Sequence, residues 1–479
     1  MLSQWNNNTN MSANHRKASI IVFSLYFSWL LALPFEGQVL YAIANLHNID
    51  PQGLIFFTIA SHFLGLLSCG FFVKNIKTVK KIMIFSILSC ILGSTIFFFS
   101  FSITWYVSLI CTSFLSGISV GSWGFYFKAY TPSNERIKTA ADVLIYSNVL
   151  MIIINMIAIN ISPYIGLFVS IAMLMGAFLF ALKLPSDYRT YNKDSSTEAP
   201  KLLNPTKPLI FLCLFIVIIT INSGLMYQVI NPSFAHHKGL VSWYWAVPYI
   251  IALSVMKNLS PKFNRAYILY VAIAMIGFAF LSFMTLDRSA GSYLIVNTLM
   301  LGACGVYDLF WWSILGEMLD YSNNPAKILG IGLSFNVLGV LFGGIVGSIT
   351  ISSDPHNYNS SIIALVVVFT ILIMLPLLNK RLSVLLKNHV FLSELSQMSS
   401  NERKKIIGSF VENSLLTGRE SEIASLLLKG RTYKMIADEL YLSENTVKTH
   451  IKNIYSKLNI QSKTELVKLM LEREYETTK

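Results

Sequence analysis

Between residues 19 and 378 the chain is a succession of apolar stretches close to twenty residues long, and this pattern leaves few ways to fold. A helix of about 20 apolar residues crosses the ~30 Å hydrocarbon core of a bilayer, where every backbone N–H and C=O must be satisfied inside the segment. The stretches fall at 19–41, 52–73, 82–101, 103–127, 140–160, 163–183, 208–230, 240–257, 266–285, 291–315, 327–350 and 361–378, which predicts twelve helical spans. Only a very tight turn separates the third from the fourth. The first eighteen residues are polar and Asn-rich, ending in His15-Arg16-Lys17. No small-residue cleavage site follows them and eleven further spans do, so the first run is expected to remain as an uncleaved span.

Charge placement gives a second reading of the same count. Basic residues gather in alternate connections: Arg16 and Lys17; Lys74, Lys77, Lys80 and Lys81; Lys128, Arg136 and Lys138; then Lys183, Arg189, Lys193, Lys201 and Lys207. The series continues with Lys257, Lys262 and Arg265, with Lys327, and with Lys380 and Arg381, while the opposite connections hold only Lys238 and Arg288. By the positive-inside rule both termini are expected in the cytoplasm, with the spans in the cytoplasmic (inner) membrane. The five cysteines (Cys69, Cys90, Cys111, Cys213 and Cys304) all lie in apolar stretches without CxxC or Cys/His spacing. They are expected to be packing residues; no metal site, disulfide framework or cofactor is implied.

The polar connection from Pro185 to Lys207 divides the spans into six and six. At an offset of 188 residues Gly117 matches Gly305, Trp123 matches Trp311, and Asn148-Val149-Leu150 matches Asn336-Val337-Leu338. Paired repeats around a central cavity characterise secondary transporters. This arrangement resembles the major facilitator superfamily. The family's loop motif between spans two and three is represented by Gly70 and Lys80-Lys81, without its Asp.

Polar groups inside spans are costly and normally face the bundle interior or water. Glu36, in the outer half of span one beside Pro34, can meet a ligand from outside or sit near the interface as a simple carboxylate. Asp308, in the inner half of span ten, can hold a cation or proton, or bond Asn and Ser neighbours. Asn148 and Asn336, repeat-related and near mid-span, are candidates for interhelical hydrogen bonds or ligand contact. His62 reads as a satisfied packing residue, and Trp243, Tyr244 and Trp245 as an interface belt.

After residue 378 the composition changes: charge is frequent and apolar residues recur at helical spacing. Four short helices are expected, each with a start signal. Thr417 with Glu420, and Ser462 with Glu465, form capping boxes; Thr432 and Ser443 are good N-caps; Gly430 suits a helix exit. Ile436, Ala437, Leu440, Val447, Ile451, Ile454 and Leu458 form an apolar face that would pack on Ile423, Leu426 and Leu427. That leaves Lys448, Thr449, Lys452 and Asn453 on the open face of the third helix. Lys donates to guanine O6 and N7, and Thr bonds or touches a thymine methyl, so these groups are suited to reading double-stranded DNA in the major groove.

The segment from about Leu416 to Leu471 resembles the LuxR-type helix-turn-helix domain. The resemblance implies base contacts from Lys448, Thr449 and Lys452. It implies backbone or supporting roles for Thr446, Asn453 and Lys457, with Lys434 a further candidate, and a homodimer contact through Leu466, Leu469 and Met470. Where the family usually has an acidic residue, this chain has Met435. The alternative for the whole segment is a protein-contact module with a solvated basic face.

The expected fold is therefore all-α: a twelve-helix transmembrane bundle with a 6+6 pseudo-repeat, followed by a soluble four-helix module. The expected division is a tail over 1–18, a membrane region over 19–378, a linker over 379–412 and the DNA-binding domain over 413–479. From Lys380 to Leu416 there is no receiver domain and no phosphoacceptor motif, which argues against phosphorelay input. That joint would reach about 55 Å as helix and roughly 120 Å extended. Two functions are consistent with this plan: a membrane-bound regulator sensing an unidentified small molecule, and a transporter with a regulatory tail. No nucleophile–base or metal constellation supports an enzyme.

Overall fold

In a computed structural model, residues 2–35, 37–132, 135–186, 206–259, 265–353, 358–397, 416–428, 431, 433–460, 465–466 and 469 are described. All regular structure among them is helical. The chain forms two compact units, Met1–Lys380 and Arg381–Lys479.

The first unit contains α1 (Leu2–Ala32), α2 (Gln38–Leu46), α3 (Gln52–Phe72), α4 (Ile76–Thr95), α5 (Ile103–Ser122), α6 (Gly124–Tyr130), α7 (Arg136–Asn160) and α8 (Pro163–Leu182). Its second half contains α9 (Thr206–Leu225), α10 (Asn231–Ser233), α11 (Lys238–Tyr244), α12 (Val247–Asn258), α13 (Arg265–Thr285), α14 (Ala290–Met318) and α15 (Pro325–Ser353). α16 (Tyr358–Gln397) begins here and continues past Lys380. Among the described residues eleven helices are long and apolar enough to cross a membrane, each overlapping one of the spans expected from 52 onward.

The first expected span is built differently. Its apolar run is divided between α1 and α2, because Pro34 has no N–H to continue the ladder. The turn closes with Phe35 N–H donating to Leu30 O at 2.9 Å. α1 starts at Leu2, inside the segment expected to be a polar tail, so its basic turn and its apolar turns belong to one helix. Large apolar side chains such as Phe71, Leu92, Phe168, Phe369 and Ile373 face outward, as lipid contact requires. Cys111 is also exposed, unlike the buried Cys69, Cys90 and Cys213.

Inside the bundle, close helix approach is made by small residues and side-chain hydrogen bonds. A Cβ at Gly117 on α5 would lie 2.4 Å from His62 O on α3; a Cβ at its repeat mate Gly305 on α14 would lie 2.8 Å from Tyr249 O on α12. The two glycines thus serve equivalent crossings in the two halves. Ser61 donates to Ile110 O at 2.7 Å, and Trp29 Nε1 to Ser94 Oγ at 2.9 Å.

The halves are also tied to each other at one end of the bundle. Arg136, only 4% exposed, donates to both carboxylate oxygens of Asp320 at 2.8 and 2.7 Å and to Gly316 O at 2.8 Å. Lys257 pairs with Asp142, Lys128 donates to Ser322 O at 2.9 Å, and Asn324 donates to Gly70 O and Val73 O at 2.9 and 3.0 Å. Above this latch Phe23, Trp123 and Trp312 bring α1, the α5–α6 junction and α14 together, with ring centroids 4.5–6.1 Å apart.

The second unit contains α17 (Gly418–Leu428), α18 (Tyr433–Leu440) and α19 (Glu444–Lys457), with residues 465–466 and 469 also helical. Ile423, Ala424, Leu426, Leu427, Ile436, Ala437, Val447, Ile451 and Ile454 form its core, with Leu440 and Leu458 packed against it.

Candidate DNA-reading helix

α19 owes its start to Ser443. The Ser443 hydroxyl accepts from Thr446 N–H at 3.1 Å, closing one of the free donors of the first turn. Glu444 lies in the same turn, where the helix dipole favours an anion. Leu458 and Asn459 end the helix, with Asn459 at φ +53° and Ile460 N–H donating to Tyr455 O at 2.9 Å. Val447, Ile451 and Ile454 hold the inner face against the core.

The opposite face carries the expected side chains together. Lys448, Thr449, Lys452 and Asn453 are all exposed on one helix. The Lys448 ammonium lies 3.1 Å from Glu444, an exposed i,i+4 pair that exchanges readily with solvent or another anion. The Thr449 hydroxyl donates to Asn445 O at 3.0 Å, and the residue is exposed. Thr446 is exposed, with its hydroxyl 2.8 Å from that of Ser443.

Lys457 stands apart from this group. Its ammonium lies 2.6 Å from Glu420 Oε2 on α17. The same carboxylate oxygen accepts from Thr417 N–H and Oγ–H, each at 2.8 Å, so the expected capping box is present and carries a third, long-range partner. Lys457, then the Thr417 amide, hold the Glu420 carboxyl down to about 2. Spacing along the sequence gave no sign of that ion pair. Arg419 was also missed; it donates to Leu440 O at 2.7 Å and covers the C-terminus of α18.

Tyr441, in the turn between α18 and α19, adopts φ +54° and is 96% exposed. Leu466 is wholly buried in the core of its own unit, which corrects its assignment to a dimer contact; Leu469 packs on that core. The Lys434 side chain, Gly430, Thr432, Ser462 and Met470 lie outside the described residues, as do residues 398–415 of the joint from Lys380 to Leu416.

Each described ligand candidate in the membrane unit has a partner of its own. Tyr249 on α12 donates to Asp308 Oδ2 at 2.6 Å, in place of the expected Asn or Ser partner. The Asn148 amide donates to Leu144 O of its own helix at 2.8 Å rather than across helices. The main-chain carbonyl of Asn336 accepts from the Thr220 hydroxyl at 3.1 Å. His62 is held by Ser116 Oγ at 2.8 Å and Ser113 O at 3.2 Å, as a packing histidine would be. Glu36 lies outside the described residues.

Comparison with known proteins separates the two units. Residues 414–470 match the model of the bacterial regulatory proteins of the luxR family. The chain is 43% identical over 58 residues to the spore germination protein GerE of Bacillus subtilis, covering 12% of this chain and 78% of GerE. It is 46% identical over 68 residues to the response regulatory protein YgeK of Escherichia coli, covering 14% of this chain and 46% of YgeK, so it spans under half of that relative. The solved structure of the proton:xylose symporter XylE, of the major facilitator superfamily, covers 77% of this chain and 96% of its own at 10% identity, with a TM-score of 0.57. That likeness concerns the fold. The chain is thus a multi-pass membrane protein with a major-facilitator-type bundle, and through its C-terminal module it belongs to the luxR family of bacterial regulatory proteins.

Proposed function

We propose that this protein is a membrane-bound one-component transcription regulator, in which the bundle senses a small molecule and the C-terminal module reads double-stranded DNA. One observation carries the reading: a capped, core-anchored helix with Lys448, Thr449, Lys452 and Asn453 on its open face belongs to the same chain as the eleven apolar spans found among the described residues. Lys448, Thr449 and Lys452 contact base edges, while Thr446, Asn453 and Lys434 hold the sugar-phosphate backbone. Lys457 supports the module from within, through Glu420. The functional division is a tail over 1–18, a sensor over 19–378, a linker over 379–412 and a DNA-binding domain over 413–479.

Basic residues in alternate connections support an orientation with both termini in the cytoplasm, on the side of the chromosome. The protein acts without catalysis, and two copies read paired half-sites as a homodimer. A ligand shifts the balance between states only through unequal affinity for them. The latch of Arg136 with Asp320 and Asp142 with Lys257 joins the two halves at one end, where a ligand with unequal affinity for two states would act.

The test is genome-wide occupancy of the full chain beside a Lys448→Ala, Lys452→Ala double variant. Sharp sites lost in the variant are expected; their absence in both chains under varied growth would count against the reading. A second reading, a secondary transporter with a regulatory tail, draws support from the bundle's fold. Substrate uptake by vesicles carrying a chain truncated after residue 397 would favour it.

A further inference from the structure

Asp308 sits near the middle of a span that runs from Ala290 to Tyr321. No Lys, Arg or His occurs between Arg288 and Lys327, between Lys207 and His236, or between Lys257 and Arg265 other than Lys262. Among the described residues no cation forms an ion pair with Asp308; its hydrogen-bond donor is the Tyr249 hydroxyl at 2.6 Å. A carboxylate at bilayer depth without a positive partner is costly, and such groups mark ligand or ion pathways.

The surroundings are aromatic and weakly polar. Tyr249 follows Trp245 by four residues and Asp308 follows Cys304 by four, about one helical turn in each case. Tyr227 belongs to a π-helical turn, Met226–Ile230, a local widening that recurs at functional sites. Its ring faces Trp245 edge-on at 6.3 Å, and among the described residues the Trp245 indole N–H has no hydrogen-bond partner. Ser223 and Cys304 lie 3.9 Å apart on α9 and α14. Asp308, Tyr227, Trp245, Ser223 and Cys304 are each only partly buried, so the cluster is not sealed off.

We propose that Asp308, Tyr249, Tyr227 and Trp245 form a binding site for an organic ammonium ion. The carboxylate neutralises the charge, and the electron-rich ring faces hold its alkyl substituents, an attraction strengthened away from water. The neutral hydroxyls and thiol around it offer no positive group to an anion. This site rests on the reading of the bundle as a sensor and gives that sensor a ligand class.

The experiment uses the full chain in detergent, with benzyltrimethylammonium as probe, neopentylbenzene as its neutral isostere and phenylacetate as an anion. The thermal unfolding midpoint and tryptophan fluorescence are followed, and a promoter reporter is read in cells. A saturable rise in midpoint with the ammonium alone is expected. It should fall at least tenfold in apparent affinity in Asp308→Asn and in Trp245→Leu, and be recovered in Asp308→Glu, which restores the carboxylate. Equal effects from the neutral or anionic probe, an undiminished effect in Asp308→Asn, or no effect of the ammonium on an intact wild-type chain would each overturn the proposal. Saturation by sodium alone would replace the organic ion with an inorganic one and overturn it as stated. Ammonium binding without any reporter change would keep the site and remove the sensor reading; a reporter response to neutral or anionic compounds alone would do the reverse.

Discussion

The Lys457 ammonium lies 2.6 Å from Glu420 Oε2, and so joins the last turn of α19 to the first turn of α17 across 37 positions of sequence. That carboxylate is buried and already accepts two bonds from Thr417. Removing the ammonium leaves the carboxylate's charge with hydrogen bonds but no counter-ion. Lys457→Ala should therefore destabilise the module by about 1.5–3 kcal/mol, as loss of a hydrogen bond to a charged group does. Hydrogen exchange of the α17 and α19 amides in the full chain measures this. Unchanged protection would mean that the pair is incidental.

The open face of α19 should respond in the opposite manner. Lys452→Ala is expected to leave amide protection intact while weakening DNA binding at the base it reads, whereas Lys434→Ala, at the DNA backbone, should reduce the slope of log affinity against log salt by about 1. Lys448→Ala should cost about 1–3 kcal/mol at one base position and relax specificity there. Titrations of operator DNA at several salt concentrations separate the two effects. Lys457→Ala should leave the salt slope as it is.

Acid sensitivity follows from the same carboxylate. Glu420 titrates in the folded module at about 2, below its ordinary value near 4.5, because Lys457 and the Thr417 amide favour its charged form. A depressed folded value contributes stability that is fully present above the unfolded value. It is lost as pH falls from about 4.5 toward 2. Glu420→Gln should be less stable at neutral pH and show a flatter loss over that window. Unfolding of the module followed against pH checks the sign; parallel curves for the two chains would exclude Glu420 as the source.

What could be read from the sequence, and what could not, divides by distance along the chain. Each span depends on its own twenty residues, so the helices at 52–378 were legible with their ends a few residues off, except that the last runs on to Gln397. The Thr417–Glu420 box and the Ser443 cap are three-residue devices and were equally plain. The break at Pro34 was visible, yet the polar Asn-rich start gave no reason to expect helix from Leu2. Pairings across long separations were hidden: Lys457 with Glu420, Tyr249 with Asp308, Arg136 with Asp320. Nothing in either partner's neighbourhood selects the other until the bundle has formed. The amphipathic pattern of Leu466 and Leu469 was likewise ambiguous, since one apolar face can meet a partner copy or its own core, and here Leu466 meets the core.

Between the halves of the bundle, Arg136 and Asp320 offer a direct test of how firmly one end is closed. The guanidinium is nearly inaccessible and spends two donors on Asp320 and one further bond on Gly316 O. Asp320→Asn keeps the shape but leaves a buried positive charge without its counter-ion, a change that costs about 3–5 kcal/mol in buried pairs. A lower melting temperature in detergent is expected. The Arg136→Asp, Asp320→Arg exchange should recover only part of it, because Gly316 O then loses its donor. Full recovery would show that the carbonyl bond contributes little.

The matched glycines of the two halves give the last prediction. Gly117 and Gly305 occupy the same crossing in each repeat, α5 on α3 and α14 on α12, and a Cβ would meet a carbonyl oxygen at 2.4 and 2.8 Å. Contacts below 3.0 Å force the backbones apart, and the neighbour in both cases is main chain, which cannot rotate away as a side chain does. Gly117→Val should therefore be the more damaging substitution and Gly305→Val the milder, each lowering the melting temperature of the membrane unit. Substitution of Gly239, whose added Cβ meets nothing within 4 Å, serves as the control. If Gly305→Val proved as tolerant as that control, the two crossings would not be equivalent, and the repeat would be one of sequence without shared packing.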